Sequence, residues 1–154
     1  MNVLNLCVAL QKYEKEESMK IYNLFISHSW AYSDNYDRLV NLLEKRSYFG
    51  FRNYSVPRND PVHTNGTDKQ LREAIFRKIQ PCSVIIILAG VYSTYSKWIN
   101  IEIDIAQKKF YHPKPILALQ PWGSERTSSI VKQNADRIVR WNTESVVAAI
   151  RELA

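Results

Sequence analysis

At 154 residues, with 45% hydrophobic and 23% charged side chains, the chain is sized for one globular domain with its own core and needs no disulfide or metal staple. Four glycines and six prolines argue against a long disordered linker, and no stretch approaches the roughly 20 apolar residues of a membrane span. The formal charge of +6 favours anionic partners, nucleotides among them, but the basic residues are dispersed and the densest run, Lys108-Lys109, is short, so solvated helix faces are expected rather than a nucleic-acid stripe.

The apolar stretch Val3 to Leu10 has no basic flank before it and no small-residue cleavage site after it, which argues against a signal peptide. Residues 1–18 read as an N-terminal extension, an amphipathic helix, with the domain proper over 19–154. Cys7 and Cys82 are far apart and lack metal-ligand spacing, which fits a reducing, cytoplasmic setting.

Tyr22 to Ser27 predicts a first strand. Asp34 to Lys45 follows as a helix, with Tyr36, Leu39, Val40 and Leu43 at helical spacing. Phe51 to Val56 is a second strand, and residues 57–66 are rich in turn formers. Thr67 or Asp68 then caps a helix with Leu71, Ala74, Ile75 and Ile79 inward. Val84 to Ala89 is apolar without alternation, as in a central parallel strand covered on both faces. A helix over Ser93 to Phe110, a strand over Ile116 to Leu119, a short helix near 126–134 and a short strand at Ile138 and Val139 come next. Thr143 caps a closing helix with Val146, Val147 and Ile150 inward.

Alternating strands and helices predict a parallel sheet with helices on both faces. Right-handed crossovers and this length favour a flavodoxin-like, three-layer α/β fold with strand order 2-1-3-4-5. Ligands of such sheets bind at the carboxyl ends of the strands, where the order reverses between the first and third. Ser27-His28-Ser29-Trp30 and the segment from Gly90 to Glu102 flank that crevice.

Trp98 to Ala106 alternates strictly, and on local periodicity it reads as a strand. A strand there would leave the third and fourth strands without a crossover, so helix is expected against the local pattern. In a helix Trp98 and Glu102 share a face. An exposed glutamate paired with Lys97 is the plainer alternative, since a carboxylate near a helix N-terminus is favourable in any case.

Leu24-Phe25-Ile26-Ser27-His28-Ser29 resembles the first-strand motif of TIR domains. Ser96-Lys97-Trp98 followed by Glu102 is similar to the TIR motif in which a tryptophan precedes the catalytic glutamate by four residues. The resemblance spans about residues 21–152 and looks closest to the bacterial TIR-like branch of the Thoeris ThsB type, a family of antiphage defence. Two features depart from the pattern: Ile99 stands where a cysteine often follows the tryptophan, and the loop from Val56 to Thr67 lacks the proline-glycine pair of receptor TIR domains.

The resemblance implies cleavage of NAD⁺ at the nicotinamide–ribose bond, with Glu102 stabilising an oxocarbenium-like transition state. It assigns Phe25, Trp30, Tyr92, Tyr95 and Trp98 to stacking, and Ser27, His28 and Ser29 to phosphate or ribose. NAD⁺ is then substrate, with no cofactor, and His28, His63 and His112 have no metal-ligand spacing. Self-association through TIR-type contacts and an effector protein that senses the nucleotide product are implied partners. Two alternatives stay open: a non-catalytic TIR module that signals by assembly, and a nucleoside deoxyribosyltransferase-like enzyme, which also attacks an N-glycosidic bond with a glutamate.

Overall fold

The computed structural model describes residues 2–27, 33–56, 66–90, 97–120 and 128–154. Its elements are α1 (Val3–Met19), β1 (Ile21–Ser27), α2 (Ser33–Glu44), β2 (Gly50–Asn53), α3 (Asp68–Ile79), β3 (Val84–Leu88), α4 (Lys97–Lys108), β4 (Ile116–Leu119), α5 (Ser129–Asn134), β5 (Arg137–Val139) and α6 (Thr143–Leu153). The strands form one parallel sheet in the order β2-β1-β3-β4-β5, the order expected from the sequence.

Every residue of β3 is buried, because helices cover both faces of the sheet. Strand alternation divides the core in two. Tyr22, Leu24 and Ile26 of β1 join Ile86 of β3 and Leu117 of β4 against α2 and α6. Phe25, Ile85, Ile87 and Ala118 point the other way, into a cluster with Ile75 and Ile79 of α3, the isoleucines of α4 and Val131 of α5.

Thr67 begins α3 through a capping box, accepting from Gln70 N at 3.3 Å while Gln70 Oε1 accepts from Thr67 N at 2.9 Å. Several details differ from the sequence expectation. The closing helix is capped by Asn142, whose side chain accepts from Ser145 N at 3.1 Å, and Thr143 is its first residue. The second strand ends at Asn53 rather than Val56, where side-chain hydrogen bonds replace its ladder. At the N-terminus α1 is helical, but Val3, Leu4, Leu6, Val8 and Leu10 are spread around it and exposed, so it has no single apolar stripe. The expected start of α4 at Ser93 lies outside the described residues, as does the loop over 57–65. Among the described residues no helix is long and apolar enough to cross a membrane.

Candidate active site

Two side chains from opposite parts of the sequence meet where β1 ends. Ser27 has the parity of Phe25, so it projects toward the α4 side of the sheet. It pairs in register with Ile87 of β3 and is 1% exposed. Facing it is α4, where Ile99, Ile101, Glu102, Ile103, Ile105 and Ala106 are all buried. The alternating pattern there is read as a helix with a broad apolar surface: Ile99, Glu102, Ile103 and Ala106 fall at i, i+3, i+4 and i+7. Ile101 and Ile105 lie beside α3, lining grooves shared with Asp68 and Arg72. Helix wins over strand because parallel β3 and β4 require a crossover between them.

Glu102 is thereby a carboxyl group inside an apolar layer, 5% exposed. Burial pushes its pKa up to about 8, and the Ser27 hydroxyl opposes the shift. The two groups are close enough to interact, yet among the described residues neither Ser27 Oγ nor Glu102 Oε2 has a hydrogen bond of normal geometry. Buried polar atoms left in this state cost about 1–3 kcal/mol each, and a catalytic role is one of the reasons a fold keeps them.

No cation of α3 or α4 compensates Glu102. Lys97 Nζ is 2.7 Å from Asp68 Oδ1, Arg72 Nη1 is 2.8 Å from Asp104 Oδ2, and Lys108 Nζ is 2.7 Å from Asp104 Oδ1. These pairs satisfy one another on the outer side of the helices. The exposed pairing of Glu102 with Lys97, the plainer alternative, is therefore not what the structure holds. Among the described residues no group of three or more histidine, cysteine or acidic side chains is arranged to hold a metal.

Of the other candidate residues, Phe25 is 1% exposed within the core cluster beneath the site. Trp98 is half-buried and packs against the same cluster. His28, Ser29, Trp30, Tyr92 and Tyr95 lie outside the described residues. The packing of Trp98 predicts an anchoring role: Trp98→Ala should lose stability toward the low end of the roughly 3–5 kcal/mol of core tryptophans, with activity falling as α4 loosens. Thermal melts read beside the reaction rate check this, and an unchanged melt with lost activity would make Trp98 a direct substrate contact instead.

Sequence reasoning missed Asn53 and Ser55, which sit where β2 leaves the ladder. Tyr54 N donates to Leu24 O at 2.8 Å, and the next rung is made by a side chain, with Ile26 N donating to Ser55 Oγ at 2.9 Å. Ser55 Oγ donates in turn to Asn53 Oδ1, which also accepts from Ser55 N at 3.0 Å. The Asn-x-Ser spacing is the signal that was there to be used, because an asparagine side chain often bonds the backbone two residues on.

The family model described as Thoeris protein ThsB, TIR-like domain, matches residues 25–126. No curated protein matches. Among solved structures, that of a CMP N-glycosidase from Clostridium botulinum, BcmB, is similar at a TM-score of 0.45 and 11% identity, over 86% of this chain and 99% of that one.

Proposed function

The chain belongs to the Thoeris ThsB TIR-like family, and from that premise we propose that it cleaves NAD⁺ at the nicotinamide–ribose bond in bacterial antiphage defence, with Glu102 as the catalytic carboxylate. One observation carries the reading: Glu102 is buried beside Ser27, with no cation on α3 or α4 compensating it. NAD⁺ supplies the missing charge, because its nicotinamide ring is cationic. A neutral nucleoside brings no such charge, which sets the deoxyribosyltransferase alternative second.

The chemistry asks for charge rather than acid. The C1′–N bond breaks with its electron pair going to nicotinamide, which leaves neutral without protonation. Positive charge then spreads over C1′ and the ring oxygen of ribose, and a carboxylate fixed there stabilises it in advance of the reaction. Water or a substrate hydroxyl completes the step by adding to C1′ and losing its proton; where a ring nitrogen of the adenine adds instead, the proton leaves from the exocyclic amine of that base. Ser27 is assigned to a ribose hydroxyl, with His28, Ser29, Trp30 and Tyr92 as further substrate contacts and Phe25 and Trp98 as support. Self-association through TIR-type contacts and transfer of the nucleotide product to an effector protein belong to the same proposal.

Incubation of the purified protein with NAD⁺, followed by mass spectrometry for free nicotinamide, tests the reading directly. Its pH dependence is a sharper test. Glu102 in the free protein titrates near 8, so the ionised form grows as pH rises toward that value. Since kcat/KM reports the free enzyme, it should climb between pH 6 and 8 and level off above. The kcat profile should have its midpoint lower, because bound cationic substrate favours the carboxylate. A flat kcat/KM across this range would remove Glu102 from the chemistry.

A further inference from the structure

We propose that Ser55, held in place by Asn53, is a positioning residue that fixes Ser27 against Glu102. This rests on the assignment of Glu102 to the site.

Ser55 is a buried hydroxyl, 6% exposed, at a point where a plain strand would have used its backbone. In a parallel pair each amide is met by a carbonyl of the neighbouring strand. At Ile26 that partner is Ser55 Oγ, contributed from 29 positions along the chain. The bond orients the Phe25–Ile26 peptide unit, one unit before the one that carries Ser27, and among the described residues Ser27 Oγ has no hydrogen bond of normal geometry to orient it. Its direction is therefore set by the backbone, and among the described residues the last rung of that backbone on the β2 side is made by Ser55.

Asn53 gives the hydroxyl its orientation. Its Oδ1 takes the Ser55 proton, which leaves the oxygen lone pairs of Ser55 for Ile26 N. Its Nδ2 donates to Tyr36 Oη of α2 at 2.7 Å. The chain Tyr36–Asn53–Ser55–Ile26 thus ties the first turn of α2, the end of β2 and the end of β1 together on one side of Ser27, while Ile87 fixes it on the other. Misplacement of a reacting group by about 1 Å can cost roughly a hundredfold in rate, so a support of this kind is felt in turnover.

A valine or alanine at position 55 fills the space but leaves the Ile26 amide without its acceptor. The expected result for Ser55→Ala is a kcat lower by roughly tenfold to a hundredfold with KM little changed, and Ser55→Thr, which keeps the hydroxyl, should restore most of it. The distinguishing readout needs no substrate: the side-chain carboxyl of Glu102, followed by carbon NMR in isotopically labelled protein, should titrate at higher pH in Ser55→Ala than in the wild type, because Ser27 then opposes the burial shift less well. Glutamine at 102 identifies the resonance.

An upward shift with no NAD⁺ cleavage by either protein would sustain the positioning role and overturn the substrate assignment. An unchanged Glu102 titration in a folded Ser55→Ala would overturn the positioning role whatever the activity. Should Ser55→Ala fail to fold, Asn53→Ala, which keeps the Ser55 hydroxyl but frees it to rotate, is read in the same way and decides between the same outcomes.

Discussion

Glu102→Gln should keep the fold and lose at least about two orders of magnitude in nicotinamide release, the scale seen when one preorganised electrostatic group is removed. The amide is nearly isosteric with the carboxyl, so the apolar layer around it is not disturbed. What disappears is the ability to become negative when a cation arrives. The same variant should change stability with a definite dependence on pH. A glutamate in the unfolded chain titrates near 4.5, and in the folded protein burial moves Glu102 to about 8. Below the first value both states are protonated and the group has no effect. Between the two, the unfolded state has released its proton and the folded state has not, so the wild type loses about 1.4 kcal/mol for each pH unit. Above the second the slope vanishes. Glutamine has no such term. The Tm advantage of Glu102→Gln over the wild type should therefore widen from pH 5 to 8 and then stay constant. Full activity, or a Tm difference independent of pH, would contradict the placement of a buried, neutral Glu102 at the catalytic position.

The largest loss of stability is expected for Ile86→Asp. Ile86 lies in the middle of β3, fully buried, with Ile26 of β1 and Leu117 of β4 as register partners. On that face it belongs to a cluster of buried hydrophobic side chains. An aspartate within that cluster must either be ionised in an apolar layer or hold its proton at a cost of several kcal/mol. Loss of the packed isoleucine adds about 2–5 kcal/mol. Together these approach the entire stability of a typical domain, about 5–15 kcal/mol. The variant should be insoluble or show no cooperative melt by circular dichroism, whereas Ile86→Val should cost only about 0.5–1.5 kcal/mol. A well-folded Ile86→Asp would mean that β3 is not the covered centre of the sheet.

Much of this fold is legible in the chain because burial on two faces leaves a plain trace. Val84 to Leu88 carries no polar residue, and only a central strand asks for that. The α4 segment is harder. Its alternation of isoleucine with polar residues imitates a strand, and the helix follows only from the need to connect β3 to β4 on one face. Where two adjacent residues can do the same local job, sequence does not choose between them: Asn142 and Thr143 are both good caps, and the chain direction on leaving β5 selects the asparagine. Glu102 emerged from topology together with the family resemblance, since nothing local distinguishes it from a surface glutamate. Ser55 was only half legible: the spacing from Asn53 marks a side-chain turn, but not what the serine itself bonds. Its partner is an amide on another strand, and a local spacing does not say which distant amide the hydroxyl will meet.

A ribosome-bound chain that has emerged only through β3 holds Ser27 with no carboxylate opposite it. Ser27 and Glu102 belong to β1 and α4, and a parallel sheet offers no local hairpin to bring such distant segments together early. They meet once α4 has folded back over the β1–β3 pair and β4 has locked the crossover by docking beside β3. Non-local pairings of this kind are the slow part of folding. On the reading proposed above, the meeting of Ser27 with Glu102 is thus acquired late and together with the core.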